Sequence, residues 1–180
     1  MGSSALEHSK LAYFADFVVY ALAVTLVAAA LLLAGPRSDW PAMAALVVLG
    51  LLGWSLLEYG LHRFVLHGLP PFSTWHAAHH DRPTALICTP TLLSGSLIAV
   101  LVFLPALLLS NLWRGSALTL GVLTGYLAYS CMHHAVHHWH GAGGWLHQRK
   151  HCHAMHHRSE DTGYYGVTTS FWDAVFHTLK

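Results

Sequence analysis

Histidine is the residue in excess: 17 of 180 positions, sixteen of them between His62 and the C-terminus. Twelve of these come in four bursts: His62-Arg-Phe-Val-Leu-His67, His76-Ala-Ala-His79-His80, His133-His134-Ala-Val-His137-His138 and His153-Ala-Met-His156-His157. Residues three or four apart share a helix face. The spacing therefore points His76 with His79 and His80, His133 with His137, and His153 with His156 and His157. His62 and His67 are five apart, ~140° around an α-helix axis. They would reach different ions unless the helix breaks near Gly68-Leu-Pro-Pro71. Imidazole suits iron, copper, nickel and zinc, and ten such donors exceed what one ion takes. Two ions with four or five nitrogen ligands each are the economical reading.

Carboxylates are too scarce for a Glu-rich di-iron bundle: the glutamates are Glu7, Glu58 and Glu160. Glu58 lies one turn before His62, within reach of a ligand histidine, with a salt bridge to Arg63 as the plain alternative. Asp81, Tyr164, Tyr165 and Asp173 are the other polar side chains expected near the site; Asp173 and Trp172 read as anchors for the C-terminal segment. His134, His138, His140, His147 and His151 suit a supporting hydrogen bond to a ligand or a solvent-facing position. His8 and His177 stand alone and carry no metal reading.

The elements that would carry these bursts are apolar. Hydrophobic residues make up 54% of the chain and charged ones 9%, against about 25% charged in soluble domains. Apolar stretches run over about 11–34, 41–61, 87–109 and 116–132, near the ~20 residues that cross a bilayer. The first is too long for a signal-peptide core and no clear basic segment precedes it. Of the nine basic residues, only Arg37 and Arg114 lie in the loops between spans one and two and spans three and four. The other seven sit before span one or in the histidine-rich segments, which places those segments and both termini in the cytoplasm. The expected fold is an all-α integral membrane domain. Its four transmembrane helices form two hairpins under a histidine-rich cytoplasmic helical cap, built from 62–86 and 133–180. Trp54 and Trp75 read as interfacial aromatics. A formal net charge of +1 with no basic run gives nucleic acid no electrostatic hold. Cys88, Cys131 and Cys152 form no CxxC pair.

The motifs together resemble the fatty acid hydroxylase and sterol desaturase superfamily, most closely the fatty acid 2-hydroxylases that act on sphingolipid acyl chains. The likeness covers about 50–180. It runs from Trp54-Ser-Leu-Leu-Glu-Tyr-Gly-Leu-His-Arg-Phe-Val-Leu-His67 through the HxxHH at His76 and Gly125-Tyr-Leu-Ala-Tyr129 with the HxxxH at His133. It ends with the HxxHH at His153 and Gly163-Tyr-Tyr-Gly-Val-Thr-Thr-Ser-Phe-Trp-Asp-Ala-Val-Phe176. The resemblance implies His62, His67, His76, His79, His80, His133, His137, His153, His156 and His157 as ligands of two iron ions. It also implies oxygen-dependent hydroxylation or desaturation of a lipid acyl chain, with O2 as co-substrate. Zinc would displace iron readily at such nitrogen sites during purification. Ser130 stands where an Asp is common in the family, and Asp81-Arg-Pro-Thr-Ala-Leu departs from its usual polar pattern. No cytochrome b5 domain fits before residue 11, and no GxGxxG fingerprint is present. Electrons would then come from a separate ferredoxin, or from cytochrome b5 with its reductase. The setting would be the inner membrane of a bacterium or the endoplasmic reticulum of a eukaryote.

Other readings are a carotenoid hydroxylase or sterol-type desaturase, and, from another class, a membrane metal transporter or sensor. Transport sites usually lie at the bilayer midplane, whereas these histidines lie beyond the spans. The HxxxxD at His76 falls inside a histidine burst, which argues against an acyltransferase. Neither HExxH nor GxSxG is present.

Overall fold

The structure is a computed structural model, described over residues 7–141, 143–158 and 163–180. Its regular elements are helical. They are α1 (Lys10–Ala34), α2 (Trp40–Gly60), α3 (Phe72–Asp81), α4 (Thr91–Ile98), α5 (Leu104–Leu109), α6 (Leu112–His138), α7 (Gly144–Arg158) and α8 (Phe171–Val175). Ser9 caps α1 by accepting a hydrogen bond from Ala12 N at 3.2 Å. Two π-helical stretches interrupt the pattern, Leu61–Leu66 after α2 and Ala99–Phe103 between α4 and α5. Pro105 follows the second; its missing N–H and its ring disturb the preceding turn of an α-helical ladder.

The chain divides into two compact units. One contains His8–Trp54 and Cys88–Leu127, the other Ser55–Ile87 and Ala128–Lys180 together with Glu7. The first unit turns its apolar side chains outward. Leu11, Phe14, Val18, Leu22, Leu26 and Leu33 of α1 are exposed, while Asp16, Tyr20, Ser94 and Thr119 are buried. The buried polar groups pair: Thr91 Oγ1 donates to Asp16 Oδ1 at 2.6 Å, and Tyr20 Oη lies 2.6 Å from Ser94 Oγ. That inversion is what lipid as solvent imposes. Among the described residues three helices are long and apolar enough to cross a membrane: Lys10–Ala34, Arg37–Leu66 and Thr91–Leu109.

The fourth expected span falls in α6, which is long but less apolar. Its residues from Ala117 to Tyr126 are largely buried, and the helix is built for close packing. A Cβ on Gly121 would lie 2.1 Å from Val47 O and 2.9 Å from Gly50 Cα; one on Gly125 would lie 2.5 Å from Trp54 Cγ. Small residues that let backbones touch are how helices associate when both sides are equally apolar. Trp54 is accordingly not an interfacial aromatic: it is 7% exposed and meets Tyr126 edge-on at 5.3 Å. Asp39, in the 3-10 turn before α2, and Arg114, in the first turn of α6, meet through a paired contact, Arg114 Nε to Asp39 Oδ2 and Nη2 to Oδ1, both 3.1 Å.

Candidate metal centre

The second unit gathers the histidines. The five-residue spacing of His62 and His67 is resolved by the π-turn. There the backbone pairs residues five apart, His67 N donating to His62 O at 3.3 Å, so the two rings lie on one face, tilted to each other with centroids 5.3 Å apart. They share one group and do not diverge to separate ions.

Two groups of ligand atoms form. His62, His67, His76, His80 and His156 make the first; His79, His133, His137 and His153 make the second; within each, the atoms lie within 4.8 Å of one another. Neither HxxHH burst points in a single direction. His79 and His80 are 100° apart on α3, so the i, i+4 pair His76/His80 faces the first group and His79 the second. On α7 the roles invert: His153 faces the second group and His156 the first. His157 sits where the groups meet, its Nε2 3.1 Å from that of His153 and its ring stacked on His80 at 4.1 Å. All ten candidate ligands are thus brought together. Asp81 is exposed at the end of α3; Glu160 lies outside the described residues.

The Nε2 atoms face each other. His76 Nε2 is 3.0 Å from both His62 Nε2 and His80 Nε2, His67 and His156 stand 3.1 Å apart, and His137 and His153 2.8 Å. Two nitrogens at right angles around one ion, each ~2.1 Å from it, are about 3 Å apart. The Nδ1 atoms of two key rings are fixed from behind. His62 Nδ1 donates to Tyr165 O at 2.6 Å and His156 Nδ1 to Gly163 O at 2.7 Å. A backbone acceptor on Nδ1 leaves the Nε2 lone pair free for a metal. Burial, and secondarily the neighbouring imidazoles, lower the histidine pKa values: His67, His137 and His157 to about 4 and His80 to about 3. The rings are neutral near pH 7 and ready to ligate. The donor set therefore fits two cations bound by nitrogen.

The carbonyls that hold His62 and His156 belong to the loop 163–168, which two buried carboxylates brace. Asp173, fully buried in α8, accepts from Tyr165 N and Gly166 N at 2.8 Å each and from Thr178 Oγ1 at 2.7 Å. Glu58, 3% exposed, accepts from Val167 N and Thr168 N at 2.8 Å and from Thr168 Oγ1 at 2.5 Å. Glu58 thus reaches neither a ligand histidine nor Arg63, whose Nη1 donates to Tyr59 Oη at 2.7 Å. It acts one step further back, on the loop. Tyr165 packs edge-on against His62, His67 and His156 with centroids 5.7–5.8 Å away. Sequence reasoning did not see the backbone acceptors Gly163 and Tyr165; a glycine-flanked pair of tyrosines just beyond the last HxxHH was the available signal.

Fold and site together define an all-helical protein with membrane-length apolar helices and two adjoining all-histidine groups of metal-ligand geometry. The fatty acid hydroxylase family model matches residues 47–178, and the chain belongs to that family. It is 35% identical over 152 residues to the dihydroceramide fatty acyl 2-hydroxylase FAH2 of Arabidopsis thaliana, covering 78% of this chain and 62% of the relative. It is 31% identical over 159 residues to the human fatty acid 2-hydroxylase, covering 80% and 41%. The chain thus spans less than two thirds of these relatives' own lengths. A solved structure of full-length scs7p, with only the hydroxylase domain visible, matches at a TM-score of 0.79 and 27% identity, over 93% of this chain and 66% of that one.

Proposed function

We propose that this protein is a membrane hydroxylase that inserts oxygen from O2 into a lipid acyl chain, using two iron ions held by the ten histidines. The observation that carries the reading is the pair of adjoining nitrogen-only groups, five and four atoms strong, each within 4.8 Å. On this reading the stretch 116–132 of α6 is a fourth span, and residues 62–86 and 133–180 form a cap on the cytoplasmic face, where the basic residues concentrate. The relatives, named for 2-hydroxylation of fatty acids and of the dihydroceramide fatty acyl chain, support an acyl chain as substrate.

Breaking an unactivated C–H bond is beyond side-chain acids and bases; a bound pair of irons supplies that oxidising power. The chain's own residues do the positioning. Carbonyls of Tyr165 and Gly163 hold His62 and His156 with Nε2 forward. Glu58 and Asp173 keep that loop in register. Burial keeps the imidazoles neutral and restricts water. A separate ferredoxin or cytochrome b5 delivers electrons.

The test is lipid mass spectrometry of cells with and without the protein, and with His76→Ala or His156→Ala. A lipid gaining one oxygen atom, lost in both variants, is the expected result. Loss of two hydrogens would redirect the assignment to desaturation. Unchanged lipids together with altered metal uptake would favour a transporter.

A further inference from the structure

The second unit carries an apolar surface that its metal groups do not use. Phe171 and Val175, one turn apart on α8, are 59% and 45% exposed; Phe176 and Leu179 just beyond the helix are 45% and 44% exposed. In a water-solvated cap such a cluster would be costly. This segment is tied to the end of a span. Trp172 Nε1 donates to Ser55 Oγ at 3.0 Å, and Phe176 stacks on Tyr59 with centroids 5.2 Å apart. Ser55 and Tyr59 lie on the apolar helix Arg37–Leu66. On the same helix Leu56, Leu57, Leu61 and Phe64 form an outward stripe, exposed at 41–60%. The apolar face of residues 171–179 is continuous with that stripe. Arg63 lies beside this face, its guanidinium 5.1 Å from the Phe64 ring centroid, as a cation at a headgroup boundary does.

We infer that the C-terminal segment Phe171–Leu179 lies in the bilayer surface, its Phe171, Val175, Phe176 and Leu179 face buried among lipid acyl chains. The same five-residue helix carries Asp173, whose carboxylate holds Tyr165 N and Gly166 N. The lipid-contacting element is therefore also a brace of the loop behind His62 and His156. His62 is three residues beyond Tyr59, about 4.5 Å along a helix, so the first histidine group begins within one turn of the lipid contact. The inference rests on the membrane reading of the apolar helices and not on the oxidation chemistry.

Native protein in phosphatidylcholine nanodiscs carrying a mid-chain diazirine acyl group is irradiated and digested with trypsin, and the adducts are mapped by mass spectrometry. Cleavage after Lys10, Arg37, Lys150 and Arg158 separates Leu11–Arg37, His151–Arg158 and the peptide 159–180. The expected result is labelling of 171–179 at least tenfold above His151–Arg158 and within threefold of Leu11–Arg37. Labelling of 171–179 at the level of His151–Arg158, with Leu11–Arg37 labelled, overturns the inference and leaves the membrane reading intact. Absence of label from Leu11–Arg37 as well refutes the membrane reading and this inference with it.

Discussion

Replacing Glu58 should weaken metal binding without removing a single ligand. Its two oxygens accept two backbone N–H groups and one hydroxyl from Val167 and Thr168, and Val167 is 2% exposed. Glu58→Ala leaves those three donors facing an apolar gap, at about 1–3 kcal/mol for each, or roughly 3–9 kcal/mol in all. Part of that cost is relieved by the loop moving, and a moved loop withdraws the carbonyls from His62 and His156. Loss of such supporting contacts typically lowers metal affinity 10–100-fold, about 1.4–2.8 kcal/mol, which lies within the energy released. Glu58→Gln keeps one carbonyl oxygen for the two N–H groups and should fall near tenfold. The assay is competition with a zinc chelator, metal content being read by mass spectrometry on full-length protein in nanodiscs, with the unfolding temperature alongside. A folded Glu58→Ala protein that retains both ions at wild-type chelator concentrations would refute the idea that the loop governs the first group.

Other outcomes follow from the same geometry. His76→Ala and His153→Ala should each lose about one ion per chain by elemental analysis, since each removes a buried member of a different group. Gly121→Ala should destabilise the protein by about 1–3 kcal/mol through overpacking, because its new Cβ meets Val47 O at 2.1 Å; thermal unfolding in detergent measures it. The metal-free protein should lose stability as pH falls from 6.5 toward 4. In that window the unfolded chain takes up protons that His67 and His157, lowered to about 4, and His80, lowered to about 3, refuse when folded. Unfolding temperatures of the metal-free protein at pH 7.5 and 5 that coincide would count against the buried, neutral imidazoles.

The convergence of the histidine bursts was legible because i, i+3 and i, i+4 spacing is a local property of an α-helix. The sharing of His62 and His67 within one group was not, because a π-turn changes the period and no single residue announces it. Glu58 was visible as an acid beside the site. Its partners lie 109 and 110 positions away at Val167 and Thr168, beyond the reach of spacing arguments. The first and third apolar stretches were plain from length. The fourth was blurred because a helix packed on all sides replaces leucine with glycine, as at Gly121 and Gly125, and buries a threonine at Thr119. Asp16 passed unnoticed inside an apolar run, although its hydrogen bond from Thr91 marks the inward face of α1.

Because α3 and α7 each contribute to both histidine groups, the separation of the two proposed ions is set by the pitch of a helix and not by a hinge. His79 and His80 are consecutive on α3, and His153 and His156 are three residues apart on α7. On α3 one peptide unit spans the gap between centres, and peptide units do not stretch. Any rearrangement that draws α3 toward one cation drags a ligand of the other with it. The pair would accordingly shift and distort as one mechanical body, and chemistry that needs both metals at a fixed span would inherit its ruler from the backbone.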